Sequence, residues 1–124
     1  DGTPFPDRVE PVERRIWHYE QMIKFKPDSY SAHYELAMIL LPKGNTDAAL
    51  THLRKSVQIN PEFVQGYIEL GRVLSERGSM DLAIRQYREG LRNTQKSATL
   101  HNALGSALGN RGLFDKAIII INIF

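Results

Sequence analysis

The feature that most constrains the fold of this chain is a repeat with a period of 34 residues. Glycine, aspartate, alanine and leucine residues recur at that interval in one common register. The series are Gly44, Gly78 and Gly112; Asp47, Asp81 and Asp115; Ala49, Ala83 and Ala117; Leu36, Leu70 and Leu104; and Leu40, Leu74 and Leu108. A period of about 20–50 residues is typical of proteins built from stacked supersecondary units. We therefore expect successive repeats at 30–63, 64–97 and 98–124, the last of them incomplete.

Within each repeat, the residue pattern predicts two helices joined by a tight turn. In the second repeat, apolar and small residues recur at steps of three and four, which defines one face of a helix. They are Tyr67, Leu70, Gly71 and Leu74. A second helix begins near Asp81, where the helix dipole favours a negative charge in the first turn. A glycine between the two helices predicts a left-handed backbone conformation, and we expect this hairpin in all three repeats, with turns at Gly44, Gly78 and Gly112.

The residues before the first full repeat predict half of an earlier one. Residues 12–29 match the second half of a repeat, since Ile23 falls 34 positions before Val57. Residues 1–11 contain three prolines and predict an extended arm. The chain thus amounts to about three and a half repeats, and we expect it to be a slice of a longer solenoid.

These repeats resemble the tetratricopeptide repeat family. The second repeat carries the pattern Tyr67-x-x-Leu70-Gly71-x-x-Leu74, followed by Ala83-x-x-x-Tyr87. The resemblance extends over roughly residues 12–124 and implies an all-α, right-handed superhelical solenoid of antiparallel helix hairpins. It also implies a protein-protein interaction scaffold that binds a peptide or a partner helix in a concave groove lined by the leading helices. One departure is Pro42, which predicts a shortened or kinked first helix.

The repeat register predicts which side chains face that groove. They are the leading-helix residues between the packing positions, running from apolar in the first repeat to small and polar in the third. We expect the binding surface to comprise Tyr34, Met38, Leu41, Ile68, Arg72, Ser75, Asn102 and Ser106. The alternative is that the N-terminal segment or the preceding half repeat covers these side chains.

Two recognition modes associated with the family are not expected. Some members grip the terminal carboxylate of a chaperone tail with Lys, Asn and Arg, whereas the matching positions here include Tyr34, Met38 and Glu69. These side chains do not form such a clamp, and Glu69 repels a carboxylate. Protein O-glycosyltransferases carry an asparagine at one groove position in successive repeats, and here Glu35 and Ala103 stand in that series. An interaction or targeting arm cut from a larger enzyme, such as a glycosyltransferase, nevertheless remains the alternative function.

Catalytic, metal and cofactor sites are not predicted in this chain. It has no cysteine, so thiolate nucleophiles and cysteine-based zinc sites are excluded. His18 and His52 lie 34 residues apart, and His33 and His101 lie 68 apart, so each pair is expected on separate helices, too distant to share one metal ion. We expect His33 and His101 to pack as ring residues. Neither a glycine-rich phosphate loop nor a nucleophile–base arrangement appears, so we expect no enzyme activity and no cofactor.

Charge gives little support for nucleic-acid binding. The chain has 16 basic and 14 acidic residues, a net charge of +2. Arg85, Arg88 and Arg92 share one helix face, which leaves nucleic acid as a weaker alternative partner. A solvated surface with Glu89 interleaved among the arginines is the favoured explanation. No apolar run reaches the ~18 residues of a membrane span and no signal-peptide pattern is present. The compartment stays open, with the cytoplasm as the default expectation.

The C-terminal end is unusually apolar for the outer helix of a repeat. The third repeat carries isoleucine where the first two carry polar residues. We expect a truncated repeat, whose following repeat would cover this surface, and self-association through Ile119, Ile120, Ile123 and Phe124 as its consequence. The alternatives are a homodimer formed through these residues, or an aberrant reading of the end of the gene.

Overall fold

A computed structural model describes residues 11–94 and 97–123, which contain six α-helices and no strand. The helices are α1 (Pro11–Phe25), α2 (Tyr30–Leu40), α3 (Thr46–Ile59), α4 (Val64–Glu76), α5 (Met80–Thr94) and α6 (Ala98–Ile123). The predicted all-α helical-repeat fold is confirmed. The predicted arm at residues 1–11 lies outside the described residues except for Pro11, the first residue of α1.

The chain forms two compact units, an N-terminal unit of residues 1–60 and a C-terminal unit of residues 61–124. In the N-terminal unit, α2 and α3 form a hairpin and α1 packs on α2. The core between α2 and α3 is apolar, with Leu36, Ala37 and Leu53 almost fully buried. On α1 only Ile16 is buried, because this helix has a single packed neighbour among the described helices of its unit.

Local signals set both ends of α2. The Ser29 side chain accepts a hydrogen bond from the Ala32 backbone N–H at 3.3 Å, so it caps the start of the helix. The helix ends at Leu40, two residues before Pro42, and has 11 residues, whereas α4 has 13. Leu41 keeps helical dihedral angles (φ −59°, ψ −52°), but Pro42 has no N–H with which to continue the hydrogen-bond ladder of the helix. The predicted shortening of this helix is therefore confirmed.

The turn between α2 and α3 has the predicted left-handed glycine. Gly44 has φ +84°. Its N–H donates to the Leu41 carbonyl at 3.0 Å, and the Asn45 N–H donates to the Leu40 carbonyl at 3.1 Å. This pair of bonds is a Schellman motif, which satisfies carbonyl groups at the end of a helix.

The C-terminal unit repeats this hairpin with α4 and α5. Gly78 has φ +82°. Its N–H donates to the Ser75 carbonyl at 3.0 Å, and the Ser79 N–H donates to the Leu74 carbonyl at 2.8 Å. These are the bonds of the first turn displaced by one repeat, so the left-handed turns predicted at Gly44 and Gly78 are both confirmed.

Glycines bring the helices of the C-terminal unit close together. A Cβ added to Gly71 on α4 would overlap the Tyr87 ring of α5, and its distance to the Tyr87 hydroxyl would be only 2.7 Å. A Cβ added to Gly90 would lie 2.8 Å from Cγ of Tyr67 and 3.0 Å from Cδ1 of Leu100 on α6. Helix α6 therefore packs against α4 and α5 through Leu100, which is fully buried.

The third repeat does not form the predicted hairpin. Helix α6 runs unbroken for 26 residues through Gly112, and positive φ angles occur among the described glycines at Gly44 and Gly78 but not there. The sequence departs from the first two repeats one residue later. Asn45 and Ser79, residue types that favour the start of a helix, precede α3 and α5, whereas Leu113 stands at the same register position. The Asn45 side chain makes no capping hydrogen bond, so the difference is one of residue preference at a helix start rather than of an observed cap.

Candidate functional site

The apolar part of the predicted groove lies along one stripe of α2 and the residue after it. Tyr34, Met38 and Leu41 follow one another at steps of four and three, so they share a helix face. All three are half-buried. The neighbouring face of α2 carries the buried Leu36 and Ala37, which fill the core of the N-terminal unit. The stripe is therefore distinct from the core and remains partly accessible.

In the C-terminal unit, the predicted groove residues on α4 are a half-buried Ile68 and an exposed Arg72. The Arg72 guanidinium pairs with the carboxylates of Glu69 and Glu76, each at 2.7 Å. The hydrogen bonds to Glu69, more than those to Glu76, raise the pKa of Arg72. This arginine thus pairs with two acids on its own helix.

Ser75, the last predicted groove residue of α4, contacts α5, the second helix of the same repeat. Its side chain hydrogen-bonds to Tyr87 on α5, and burial raises the pKa of the Tyr87 hydroxyl. Asn102 and Ser106 on α6 are both exposed. The N-terminal and C-terminal parts of the groove belong to different compact units, so a single groove joining them stays a prediction.

Two histidines meet across the first hairpin, which the repeat spacing did not predict. Nδ1 of His33 on α2 lies 3.0 Å from Nδ1 of His52 on α3, and Nε2 of His33 lies 3.0 Å from the Pro27 carbonyl oxygen. A carbonyl only accepts, so His33 carries its hydrogen on Nε2, and His52 donates from Nδ1 to Nδ1 of His33. Burial, and secondly the proximity of His33, lower the pKa of His52. His33 and His52 are 19 residues apart, which is not a multiple of the period, and they meet because α2 and α3 pack antiparallel in one hairpin.

The second repeat uses the same ring position in the same way. The Tyr67 hydroxyl donates to the Pro61 carbonyl at 3.0 Å and accepts from Nδ2 of Asn93 at 3.0 Å. The expectation of a packed ring is confirmed at His33, which is 5% exposed. It is wrong at His101, which is exposed because α6 has no second helix folded back onto this face.

Within the described residues, no group of three or more His, Asp or Glu side chains is placed to hold a metal ion. The arginine face predicted on α5 carries acids among its bases. Arg92 pairs with Glu89, and Arg111 of α6 pairs with Asp81 at 3.0 Å. Among the helices of residues 11–94 and 97–123, none has the length and hydropathy needed to cross a membrane.

The second half of α6 exposes a run of large apolar side chains. The exposed fractions are 68% for Leu113, 60% for Phe114, 41% for Ile118 and 58% for Ile119. Of the residues predicted to self-associate, Ile119 is thus exposed, while the side chains of Ile120 and Ile123 and the whole of Phe124 lie outside the described residues.

Comparison with known proteins gives both a family and a fold. Two family models described as tetratricopeptide repeat match residues 30–63 and 68–122. No curated protein sequence matches the chain.

Three solved structures of MamA are similar in fold. Two share 22% identity with TM-scores of 0.71 and 0.70, covering 86% and 90% of this chain and 63% and 61% of theirs. A third, MamA MSR-1 C2, shares 24% identity with a TM-score of 0.63 and covers 86% of this chain and 61% of its own. The chain thus spans less than two thirds of the MamA chains.

Proposed function

Because the chain belongs to the tetratricopeptide repeat family, we propose that it is a scaffold that binds a peptide or a partner helix along its leading helices. The observation that carries this proposal is the stripe of Tyr34, Met38 and Leu41 on and just after α2. Its side chains are apolar and partly accessible, and a groove with such anchors suits the apolar face of an amphipathic helix.

The charges on α4, in the C-terminal unit, narrow the chemistry of the partner that we propose for the leading helices. Arg72 is already bound by Glu69 and Glu76 at 2.7 Å. A guanidinium held by two carboxylates has little capacity left for a third, so we expect no clamp for a terminal carboxylate. The partner we propose therefore contributes apolar anchors and few acidic groups.

The test begins with a displayed library of random peptides, from which binders to the chain are selected. Replacing Tyr34, Met38 and Arg72 together with alanine is expected to abolish binding of the selected peptides. The melting temperature of this triple variant is expected to stay unchanged. The matched control is alanine at Arg54 and Lys55, exposed residues of α3. Peptides that bind the triple variant as well as the control reject the groove assignment.

A second candidate function is self-association, favoured by the exposed apolar residues of α6. Ile119 is 58% exposed, and the sequence places Ile120, Ile123 and Phe124 after it. Contact between these residues in two copies would remove apolar surface from water. Light scattering at tens of micromolar protein tests this function, and a clean monomer rejects it.

The rival to both is a non-catalytic arm of a larger enzyme, such as a glycosyltransferase. Tetratricopeptide repeats are generally interaction modules rather than catalysts, so in that case the chemistry belongs to another domain. The full-length open reading frame distinguishes this possibility directly.

A further inference from the structure

A row of arginines on α5 faces a pocket that α6 completes. This arginine pocket has a volume of about 400 Å³ and is lined by Asp81, Ile84, Arg85, Arg88, Arg92 and Arg111. The first five lie on α5, and Arg111 lies on α6. The sequence alone indicates three arginines on one face of α5, whereas the fold adds a fourth from another helix. The pocket therefore sets four arginines against one aspartate.

Ion pairs occupy two of these arginines and leave the other two available to a ligand. Arg111 pairs with Asp81 at 3.0 Å, and Arg92 pairs with Glu89. Arg85 and Arg88 are exposed, and neither has an ion pair or a side-chain hydrogen bond with any residue that the structure describes. These two residues are three positions apart, so their side chains are neighbours on the helix surface. The uncompensated charge of the pocket is thus carried by two adjacent guanidinium groups.

Two adjacent guanidinium groups match a phosphate better than they match a carboxylate. Arginine presents a planar fork of donors that fits the oxygens of either anion. A carboxylate has a single charge and neutralises one guanidinium, as Asp81 and Glu89 do here. A phosphorylated side chain carries nearly two negative charges at pH 7 and has three acceptor oxygens. One phosphate can therefore bind both free arginines.

A second pocket shares a wall with the arginine pocket and contains exposed apolar side chains. This apolar pocket has a volume of about 490 Å³ and is lined by Gly78, Ser79, Met80, Asp81, Leu82, Arg111, Phe114 and Asp115. Leu82 is 41% exposed and Phe114 is 60% exposed. Asp81 and Arg111, which pair with each other, belong to both pockets. A ligand can therefore place a phosphate on one side of this ion pair and an apolar group on the other.

The acids around the two pockets favour a ligand with a single phosphate. Asp81 and Asp115 line the apolar pocket, and Glu89 lies between two of the arginines in sequence. A nucleic acid carries a charge on every nucleotide and would bring further phosphates against these carboxylates. Nor does any aromatic residue line the arginine pocket to stack a base beside the phosphate. A peptide combines one phosphate with neutral, apolar neighbours, which is what the two pockets require.

We propose that the two pockets between α5 and α6 bind a peptide in which a phosphorylated side chain lies beside an apolar one. Arg85 and Arg88 bind the phosphate, and Leu82 and Phe114 contact the apolar side chain. Clustered arginines are a recurring means of recognising phosphorylated motifs. The inference goes beyond the scaffold function proposed above, because it gives the chain a second ligand, and none of these residues belongs to the leading-helix stripe of the N-terminal unit.

Peptide arrays test the phosphate first. Each random peptide has phosphoserine, phosphothreonine or phosphotyrosine at its centre and is paired with its unphosphorylated twin. The chain is expected to bind phosphorylated peptides that carry an apolar residue close to the phosphate. Arg85→Gln with Arg88→Gln is then expected to weaken the best phosphopeptide about tenfold or more in fluorescence anisotropy. The matched control, Arg54→Gln with Lys55→Gln on α3, removes the same charge and should leave its affinity unchanged.

A variant of the apolar pocket separates the two contacts. Leu82→Ser should weaken the selected phosphopeptide about threefold to tenfold, and should not weaken the same phosphopeptide with alanine flanks. Circular dichroism at 222 nm checks that each variant stays helical. Equal binding of the phosphorylated and unphosphorylated twins, or an equal loss in the control variant, overturns the inference. So does tighter binding of a single-stranded RNA oligonucleotide, or of vesicles containing phosphatidylserine, that the arginine variant abolishes.

Discussion

The contact between Gly71 and Tyr87 gives a quantitative test of how the second repeat packs. A Cβ at position 71 would overlap the Tyr87 ring, which is 6% exposed, so the ring must shift within a packed environment. Overpacking of this kind costs about 1–3 kcal/mol. Alanine is intrinsically better than glycine in a helix by about 1 kcal/mol, which offsets part of that cost. We expect Gly71→Ala to lower the free energy of unfolding by up to about 2 kcal/mol.

The first repeat supplies the compensating change. At the equivalent positions it has Ala37 and Leu53, both fully buried. Tyr87→Leu alone removes a buried ring and its hydrogen bond to Ser75, at a cost of about 2–4 kcal/mol. In that background Gly71→Ala no longer meets a ring and retains its helical advantage. The double variant should therefore be more stable than the sum of the single effects predicts, by about 1–3 kcal/mol, which is the overpacking cost that the smaller side chain removes.

Urea denaturation followed by circular dichroism at 222 nm measures all four members of this cycle. The control is Ala37→Gly in the first repeat, where no aromatic ring stands opposite position 37. A loss of about 1 kcal/mol is expected there from helix propensity alone. Additivity of Gly71→Ala and Tyr87→Leu within about 0.5 kcal/mol would refute the proposed packing at this crossing.

Three further predictions concern the turns, the histidine pair and a buried hydroxyl. Gly78→Ala places a side chain at φ +82° and should destabilise by about 1–2 kcal/mol, whereas Gly112→Ala lies in a helix with open space around it and should stabilise by about 0.5–1 kcal/mol; destabilisation at both sites would indicate a turn at Gly112. The lowered pKa of His52 means that the unfolded chain takes up the proton first, so the free energy of unfolding should fall as pH drops below about 6.5 and through the lowered pKa. Urea melts from pH 7.5 to 5 measure this fall, and His52→Gln should reduce it; equal slopes would contradict the assignment. Ser56 is buried and its hydroxyl has no hydrogen-bond partner among the described residues, so Ser56→Ala should raise the melting temperature, with a gain of up to about 1 kcal/mol, and a lower value would count against it.

The parts of the fold that local chemistry decides were predictable from sequence. Left-handed turns at Gly44 and Gly78 follow from glycine between two helical patterns, and the short α2 follows from Pro42. The third turn failed because Gly112 marks where a helix can end, whereas a hairpin also needs a residue that starts the next helix. Leu113 stands where the earlier repeats have Asn45 and Ser79, residue types that favour a helix start, so the sequence departs from the first two repeats one residue beyond the repeated glycine.

The candidate sites also include features that the sequence predicts and features that it does not. The stripe of Tyr34, Met38 and Leu41 is partly accessible, and its role in a binding groove stays a prediction. The hydrogen bonds of His33 with His52 and Pro27 could not be predicted from the repeat spacing. They depend on which residues of two antiparallel helices face each other. That pairing is set by packing at the crossing, and the period of the sequence alone does not contain it.

The ring-to-proline hydrogen bond determines where this chain can be shortened. His33 donates to the carbonyl of Pro27, and Tyr67 donates to that of Pro61, so each ring is bound to a residue that precedes its own repeat. A fragment cut at Tyr30 would keep the buried His33 ring and lose its acceptor, at a cost of about 1–3 kcal/mol. Expression boundaries for single hairpins should therefore begin at Pro27 or Pro61, three residues earlier than the sequence period suggests.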